Sequence, residues 1–348
     1  MTDNVEDKLI KVISPIFQIT AICISVACIT FALFKGLSAL HIHEKSPQIE
    51  IVTPKTVKEL GGFPNEVTTG LYIHEFQKFD IVNNDFLFSG IVWFLFNPGI
   101  ISLETLKKFE FDRGTIIERS EPNVTVLDKK LLARFPIRAH VAANLDYRYF
   151  PLDDHRIYFV LTHPLVSPEN ILLASSNQEF SVKPDVRTTG WQKIDITVIS
   201  GYGESTLDIH DERKTLQYPS IVFSIDYARH GTRYVISILL PLLLIFYLTL
   251  FTFSFGDTSS RTSISLSTGS ITAILAYRFV IENLSPNTGY FMLSDYLFFL
   301  FLGGSFLVFF TNIIDAFAIN IPIVYKKFII ILLHTIVITT SIYLFIFW

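Results

Sequence analysis

The sequence predicts a soluble β-sandwich, immunoglobulin-like and built of about ten antiparallel strands, followed by a four-helix transmembrane domain. One extra transmembrane helix stands ahead of both. Three observations predict this. Half of the 348 residues are hydrophobic and only 17% are charged, where a soluble chain carries about a quarter. The apolar residues collect in one segment near the N-terminus and in the last third. Between them, short aromatic and β-branched runs are cut by Pro, Gly, Asn and Asp, the pattern of strands and turns.

The division along the chain is 1–43 for a cytoplasmic tail and the first helix, 44–228 for the sandwich, and 229–348 for the four helices. Val12 to Phe34 is apolar, bounded by Lys11 and Lys35, and about as long as a spanning helix requires. A cleaved signal would carry an apolar region of about 7–15 residues, so the segment is expected to be an uncleaved anchor. Cys23 and Cys28 both lie in it, which leaves the sandwich without cysteine and without a disulfide framework. Residues 44–70 read as a linker.

Strands are then expected at 71–76 and 85–96, separated by Asn83-Asn84. Others are expected at 113–118, 123–127, 136–143, 156–162, 179–183, 191–199 and 216–227. Ile194, Ile196 and Val198 alternate with Lys193, Asp195 and Thr197, the period of a half-buried strand. Spans follow at about 234–255, 262–284, 290–314 and 328–348. Pro241 sits inside the first of these, where neighbouring helices can satisfy the freed carbonyl. Lys326-Lys327 ahead of the last span favour a cytoplasmic N-terminus and a sandwich on the opposite side.

The span at 262–284 differs from the rest. It carries hydroxyls at Ser263, Ser265, Ser267, Thr268, Ser270 and Thr272. Polar side chains within a membrane face a bundle interior or an aqueous path. Serines and threonines also join helices to one another. Their density here points to a helix that lines water.

Four motifs in order carry a family resemblance. Arg148-Tyr-Phe-Pro-Leu-Asp-Asp-His-Arg-Ile resembles the Phe-Pro-Phe-Asp-x-Gln loop of the pentameric ligand-gated ion channels, the Cys-loop receptor superfamily. Phe150, Pro151 and Asp153 match, Leu152 and His155 depart, and the flanking cysteines are absent as in the prokaryotic-type branch. Arg233 with Ile238-Leu-Leu-Pro241 is similar to the opening of the family's first membrane helix. Pro286-Asn-Thr-Gly-Tyr290 with Asp295 is similar to the loop between its second and third helices. The resemblance covers residues 70 to 348, and the extra N-terminal span lies outside the family's plan.

The resemblance implies a homopentamer in the plasma (bacterial inner) membrane among lipids. A small-molecule ligand or protons would open it, and small ions would pass. It implies no enzyme activity, no cofactor and no nucleic-acid partner. Asp153, Arg233, Pro151, Pro286 and Tyr290 are the implied coupling residues, with a carboxylate–guanidinium pair between Asp153 and Arg233.

Anchored on Pro286, the pore stripe contains Ser265, Gly269, Thr272, Ala276, Phe279 and Asn283. The gate falls at Thr272, Ile271 or Phe279, because Thr272 stands where the family carries a bulky aliphatic side chain. Asp257 and Arg261 near the inner mouth and Glu282 near the outer one are the selectivity candidates. Their signs leave cation against anion open, and Arg278, four residues from Glu282, can neutralise it. Ligand-site candidates are the aromatic residues Trp93, Trp191, Tyr202 and Tyr218, the last two flanking a Gly201–Gln217 loop. Each of these also suits a sandwich core. His140, His155 and His163 are candidate proton sensors. A membrane-anchored sensor of the same fold that does not conduct is the alternative. An intramembrane enzyme has no support, as His-Glu-x-x-His and Gly-x-Ser-x-Gly are both missing.

Overall fold

The computed structural model describes residues 13–53, 64–206, 215–230, 232–255, 260–317 and 321–348. They cluster into two compact units, one strand-rich (42–146 and 154–230) and one helical (1–41, 147–153 and 231–348). The short segment Tyr147–Asp153 thus groups with the helices although strands flank it in the chain.

The strand-rich unit contains two sheets. Its strands are β1 (Ile49–Ile51), β2 (Asn65–Asp80), β3 (Asp85–Phe96), β4 (Glu110–Asp112), β5 (Gly114–Arg119), β6 (Asn123–Leu127), β7 (Lys130–Val141), β8 (His155–Thr162), β9 (Ile171–Ala174), β10 (Phe180–Val182), β11 (Trp191–Thr206) and β12 (Thr215–Arg229). One sheet runs β1-β11-β12-β8-β4 and the other β10-β2-β3-β7-β5, with β6 on β7 and β9 on β2. Pairing is antiparallel except where β9 and β10 join β2.

β3 shows why these residues form a strand. Phe86, Phe88, Gly90, Val92, Phe94 and Phe96 face inward at every second position, which fixes the register because a one-residue slip would expose them all. Phe88 meets Phe159 of β8 edge-on at 5.2 Å, and Phe180 of β10 meets Phe223 of β12 at 5.1 Å, so rings from both sheets share the core. Each fully buried phenylalanine contributes roughly 2–3 kcal/mol. Gly70 is required by close approach, since a Cβ there would lie 2.3 Å from the Trp93 ring. The β2–β3 turn places Asn84 at φ 55°, a conformation that Asn tolerates through local hydrogen bonding. Its Oδ1 accepts from the Ala143 backbone at 2.9 Å.

Several sequence expectations change here. β1 forms within the stretch read as a linker, by pairing with Gly201–Gly203 of β11. β4 and β9, and a one-turn helix α2 (Leu103–Leu106), are further short elements that local pattern did not signal. Ile194 is a bulged residue and 47% exposed, so the alternation around it marks a strand but not a buried face. Within the stretch 201–217 read as a loop, 201–206 and 215–217 are paired strand, Gly201 opposite Ser220 and Gly203 opposite Tyr218, and 207–214 lie outside the described residues.

The helical unit has five helices long and apolar enough to cross a membrane among the described residues. They are α1 (Pro15–Leu37), α3 (Arg233–Phe251, extended by a 3₁₀ turn to Ser254), α4 (Ser260–Leu284), α5 (Leu293–Phe317) and α6 (Ile323–Ile342, continued as a π turn to Phe347). The protein is an integral membrane protein. α1 packs chiefly on α6 and its π turn, and more lightly on α3. Ser25 Oγ lies 2.7 Å from the Tyr247 hydroxyl, and the Tyr247 ring stacks on His334 at 5.6 Å. Gly36 is needed where α1 crosses the π turn, because a Cβ would approach the Phe345 carbonyl to 2.7 Å.

α6 begins five residues earlier than the pattern placed the last span, so Lys326 lies within it. Lys326 Nζ pairs with Asp315 Oδ2 at 2.6 Å. Its charge is therefore compensated internally and adds little to the loop bias used for orientation.

Candidate functional site

α4 is held by its partners on one face. Ser263, Ser267, Ser270, Ile271, Ile274 and Ile281 are buried, and α3 and α5 supply the neighbours. At about 100° per residue, Ser265, Gly269, Thr272, Ala276, Phe279 and Asn283 fall within roughly 40° of one line on the opposite side. All six are exposed. Gly269 has open space where a Cβ would project, and Phe279 is 70% exposed. Of the three gate positions, Thr272 and Phe279 lie on this free face, while Ile271 is buried.

The hydroxyls divide between the faces. Ser265, Thr268 and Thr272 are exposed, whereas Ser263, Ser267 and Ser270 point into the bundle. Ser267 donates to the Ser263 carbonyl at 2.8 Å and Ser270 to Leu266 at 2.9 Å. Each bonds its own helix one turn back, so it can be buried without a partner on another helix. Hydroxyl density therefore did not by itself identify a water-lining face.

Near its C-terminal end, α4 is braced by charge. Arg278 Nε bonds Glu282 Oε1 at 2.8 Å, and Arg278 also pairs with buried Asp295 of α5. Asp295 Oδ2 in addition accepts from the Met292 backbone at 2.7 Å. The i,i+4 partner was legible in the sequence, while Asp295, seventeen residues on, was not. Glu282 is thus tied to Arg278. Arg261, in the first turn of α4, is exposed. Asp257 lies outside the described residues.

Two segments that hold coupling candidates, 147–151 and 286–294, meet at the α4–α5 loop. The Tyr290 hydroxyl accepts from the Tyr147 backbone at 3.0 Å, and Leu293 N donates to Arg148 O at 2.7 Å. Ser294 N donates to Phe150 O at 3.1 Å. Pro151 and Pro286 are buried, and the Phe150–Pro151 peptide is cis. The sequence motifs at 148–153 and 286–295 are therefore joined through backbone bonds, a contact no spacing rule foretells. Asp153 is fully buried and Arg233, the first residue of α3, is exposed. A cavity of about 570 Å³ lies along the loop, lined among others by Arg278, Pro286, Tyr290 and Asp295.

In the strand-rich unit the four aromatic candidates do not share one pocket. Trp93 packs over Gly70 in the β10-to-β5 sheet. Trp191 lies under the Arg229 guanidinium at 4.4 Å and beside His155 at 5.3 Å. Tyr202 is buried and donates to Pro168 O at 3.1 Å. It sits eleven residues along β11 from Trp191, about 36 Å at strand rise. Tyr218 lines a cavity of about 390 Å³ with Tyr158, Asp112, Glu204 and the segment Lys45–Ile49. Burial and the nearby Asp112 carboxylate raise the Tyr218 hydroxyl above the usual tyrosine range.

The histidines differ too. His140 contacts Asp85 at 2.7 Å near the surface, and Asp85 is held below the usual carboxylate range by its bond from Lys78 first and His140 second. His163 is buried, donating Nε2–H to Thr105 O at 2.8 Å, and burial holds its imidazole below the usual histidine range. His155 Nδ1 lies 2.6 Å from Glu44 Oε1, both side chains almost wholly buried. Glu44 accepts further from Arg156 N at 3.1 Å and Asp146 N at 3.4 Å. Glu44 had no sequence signal beyond a place in an apparent linker, 111 residues from its partner.

No family model matches the chain. A proton-gated ion channel from Gloeobacter violaceus is 26% identical over 159 residues, 46% of this chain. The match spans 42% of that relative's length, less than half of it. The chain is thus similar, at a distance and over less than half its length, to a proton-gated ion channel.

Proposed function

We propose that the chain is one subunit of a homopentameric ligand-gated ion channel. α4 from each subunit would line a central pore, and a small ligand or protons at the strand-rich sandwich would open it. The observation that carries this reading is the free face of α4. It is a continuous line of small, hydroxyl and amide side chains with one ring at Phe279, opposite the face that α3 and α5 bury. Such a line suits an aqueous lumen, and a bulky ring within it suits a dewetting constriction. The bracing of 147–153 against the α4–α5 loop supports coupling through Pro151, Asp153, Pro286 and Tyr290, with Arg233 at the start of α3. The similarity to a proton-gated channel supports protons as one stimulus; the proposal sets the channel in a bacterial inner membrane with the sandwich outside the cytoplasm.

The subunit count tests this. Native mass spectrometry of the detergent-purified chain is expected to give five copies. A monomer or dimer that persists in lipid nanodiscs would remove the shared pore. Five copies that stay electrically silent, including with Phe279→Ala, would favour the non-conducting sensor.

A further inference from the structure

We infer that this pore passes anions, and that Arg261 is the residue that sets the sign; the inference rests on the channel reading above. Arg261 precedes Ser265 by one helical turn and so lies on the same side of α4 as the pore line, about 40° away. Its side chain is exposed and makes no ion pair among the described residues. The remaining charges of α4 are Arg278 and Glu282. They sit off that line by roughly 100° or more and are bonded to one another and to Asp295. No charged residue stands between Thr262 and Tyr277. Among the described residues, the line therefore carries one charge, and it is positive.

Helix energetics do not account for an arginine at this place. A cation in the first turn is opposed by the positive end of the helix dipole, and α4 has no acidic residue in that turn. What is unfavourable for the helix is favourable for a passing anion, because dipole and guanidinium act with the same sign. Five copies around an axis form a basic ring, the arrangement that admits anions and repels cations.

The test is the reversal potential of the full chain in planar bilayers under a potassium chloride gradient. The wild type is expected to reverse on the chloride side, and replacing chloride with gluconate on one side is expected to move the reversal. R261E is expected to carry it to the potassium side, and R261Q to bring it towards zero. Wild-type reversal on the potassium side, or a reversal unmoved in both variants, would overturn the assignment while leaving the channel reading intact. Silence of a verified pentamer at every pH and in every variant would instead sink the channel reading, and this inference with it.

Discussion

The strand-rich unit and the helical unit illustrate two means of burying polar groups. In the strand-rich unit, buried or half-buried charge is met by a partner far away in sequence. Glu44 meets His155, and Arg156 holds Asp226 through two guanidinium nitrogens, which raises the arginine further above its ordinary range. In the helical unit, Thr249, Ser267, Ser270 and Thr311 are hydroxyls satisfied one turn back on their own helix. The Ser25–Tyr247 bond joins α1 to α3 instead, and Ser263 of α4 donates to the Thr252 carbonyl at the end of α3. Strand hydroxyls find local acceptors too, Thr69 at the Val67 carbonyl and Ser220 at the Tyr218 carbonyl, two residues back where a helix offers the carbonyl four back. Charged groups therefore carry tertiary information in both units, as Arg278–Asp295 and Lys326–Asp315 show for the helices, while a hydroxyl bonded to its own segment carries little.

That comparison can be tested in order of expected effect. Phe88→Ala should cost the strand-rich unit about 4 kcal/mol, since the cavity opens between two sheets. Chemical denaturation followed by intrinsic fluorescence would show it, and a loss under 1 kcal/mol would mean that the sheets do not share a core. Glu44→Ala should cost about 3 kcal/mol because it strips a buried histidine of its partner. Trp191, 5.3 Å from that ring, should report the change in its emission, and an unaltered spectrum and midpoint would refute the anchoring role.

A pH effect of intermediate size is expected at His163. The unfolded chain takes up a proton near pH 6.5, whereas the folded state, with this imidazole buried, resists it. Stability is therefore full above that pH and falls as the pH drops. His163→Gln should flatten this slope, and melting curves that stay parallel to the wild type from pH 7 to 5 would contradict it.

The smallest effects separate the two kinds of hydroxyl. Ser25→Ala and Tyr247→Phe should each cost about 1 kcal/mol and be strongly non-additive in a double-mutant cycle. Ser267→Ala, which loses only a bond to its own helix, should cost less than about 0.5 kcal/mol. Equal costs at Ser25 and Ser267 would erase the distinction.

Much of the architecture was legible because it is periodic. The long apolar stretches, the inward phenylalanines of β3 and the Asn83-Asn84 turn are all local patterns. The exposed line on α4 was legible through spacing once Pro286 supplied an anchor. What escaped was non-local. β1 and β4 are three-residue strands that exist only because a longer neighbour offers a ladder. Glu44 and Asp226 acquire meaning only from a partner that the fold delivers, and Asp295, marked in the sequence by its loop motif, gains Arg278 as a partner only in the fold. The division of the α4 hydroxyls between two faces also needed the neighbouring helices, since a serine reads alike whether it faces water or a helix.

Cysteine accessibility along α4 tests the central claim most directly. With Cys23 and Cys28 replaced by serine, Thr272→Cys and Ile274→Cys would be exposed to a charged, water-soluble thiosulfonate while bilayer current is recorded. Modification of Thr272→Cys with block of the current, and no effect at Ile274→Cys, is the result that a pore on the free face of α4 requires. Block at Ile274→Cys, or full modification of Thr272→Cys with the current unchanged, would place the water path elsewhere.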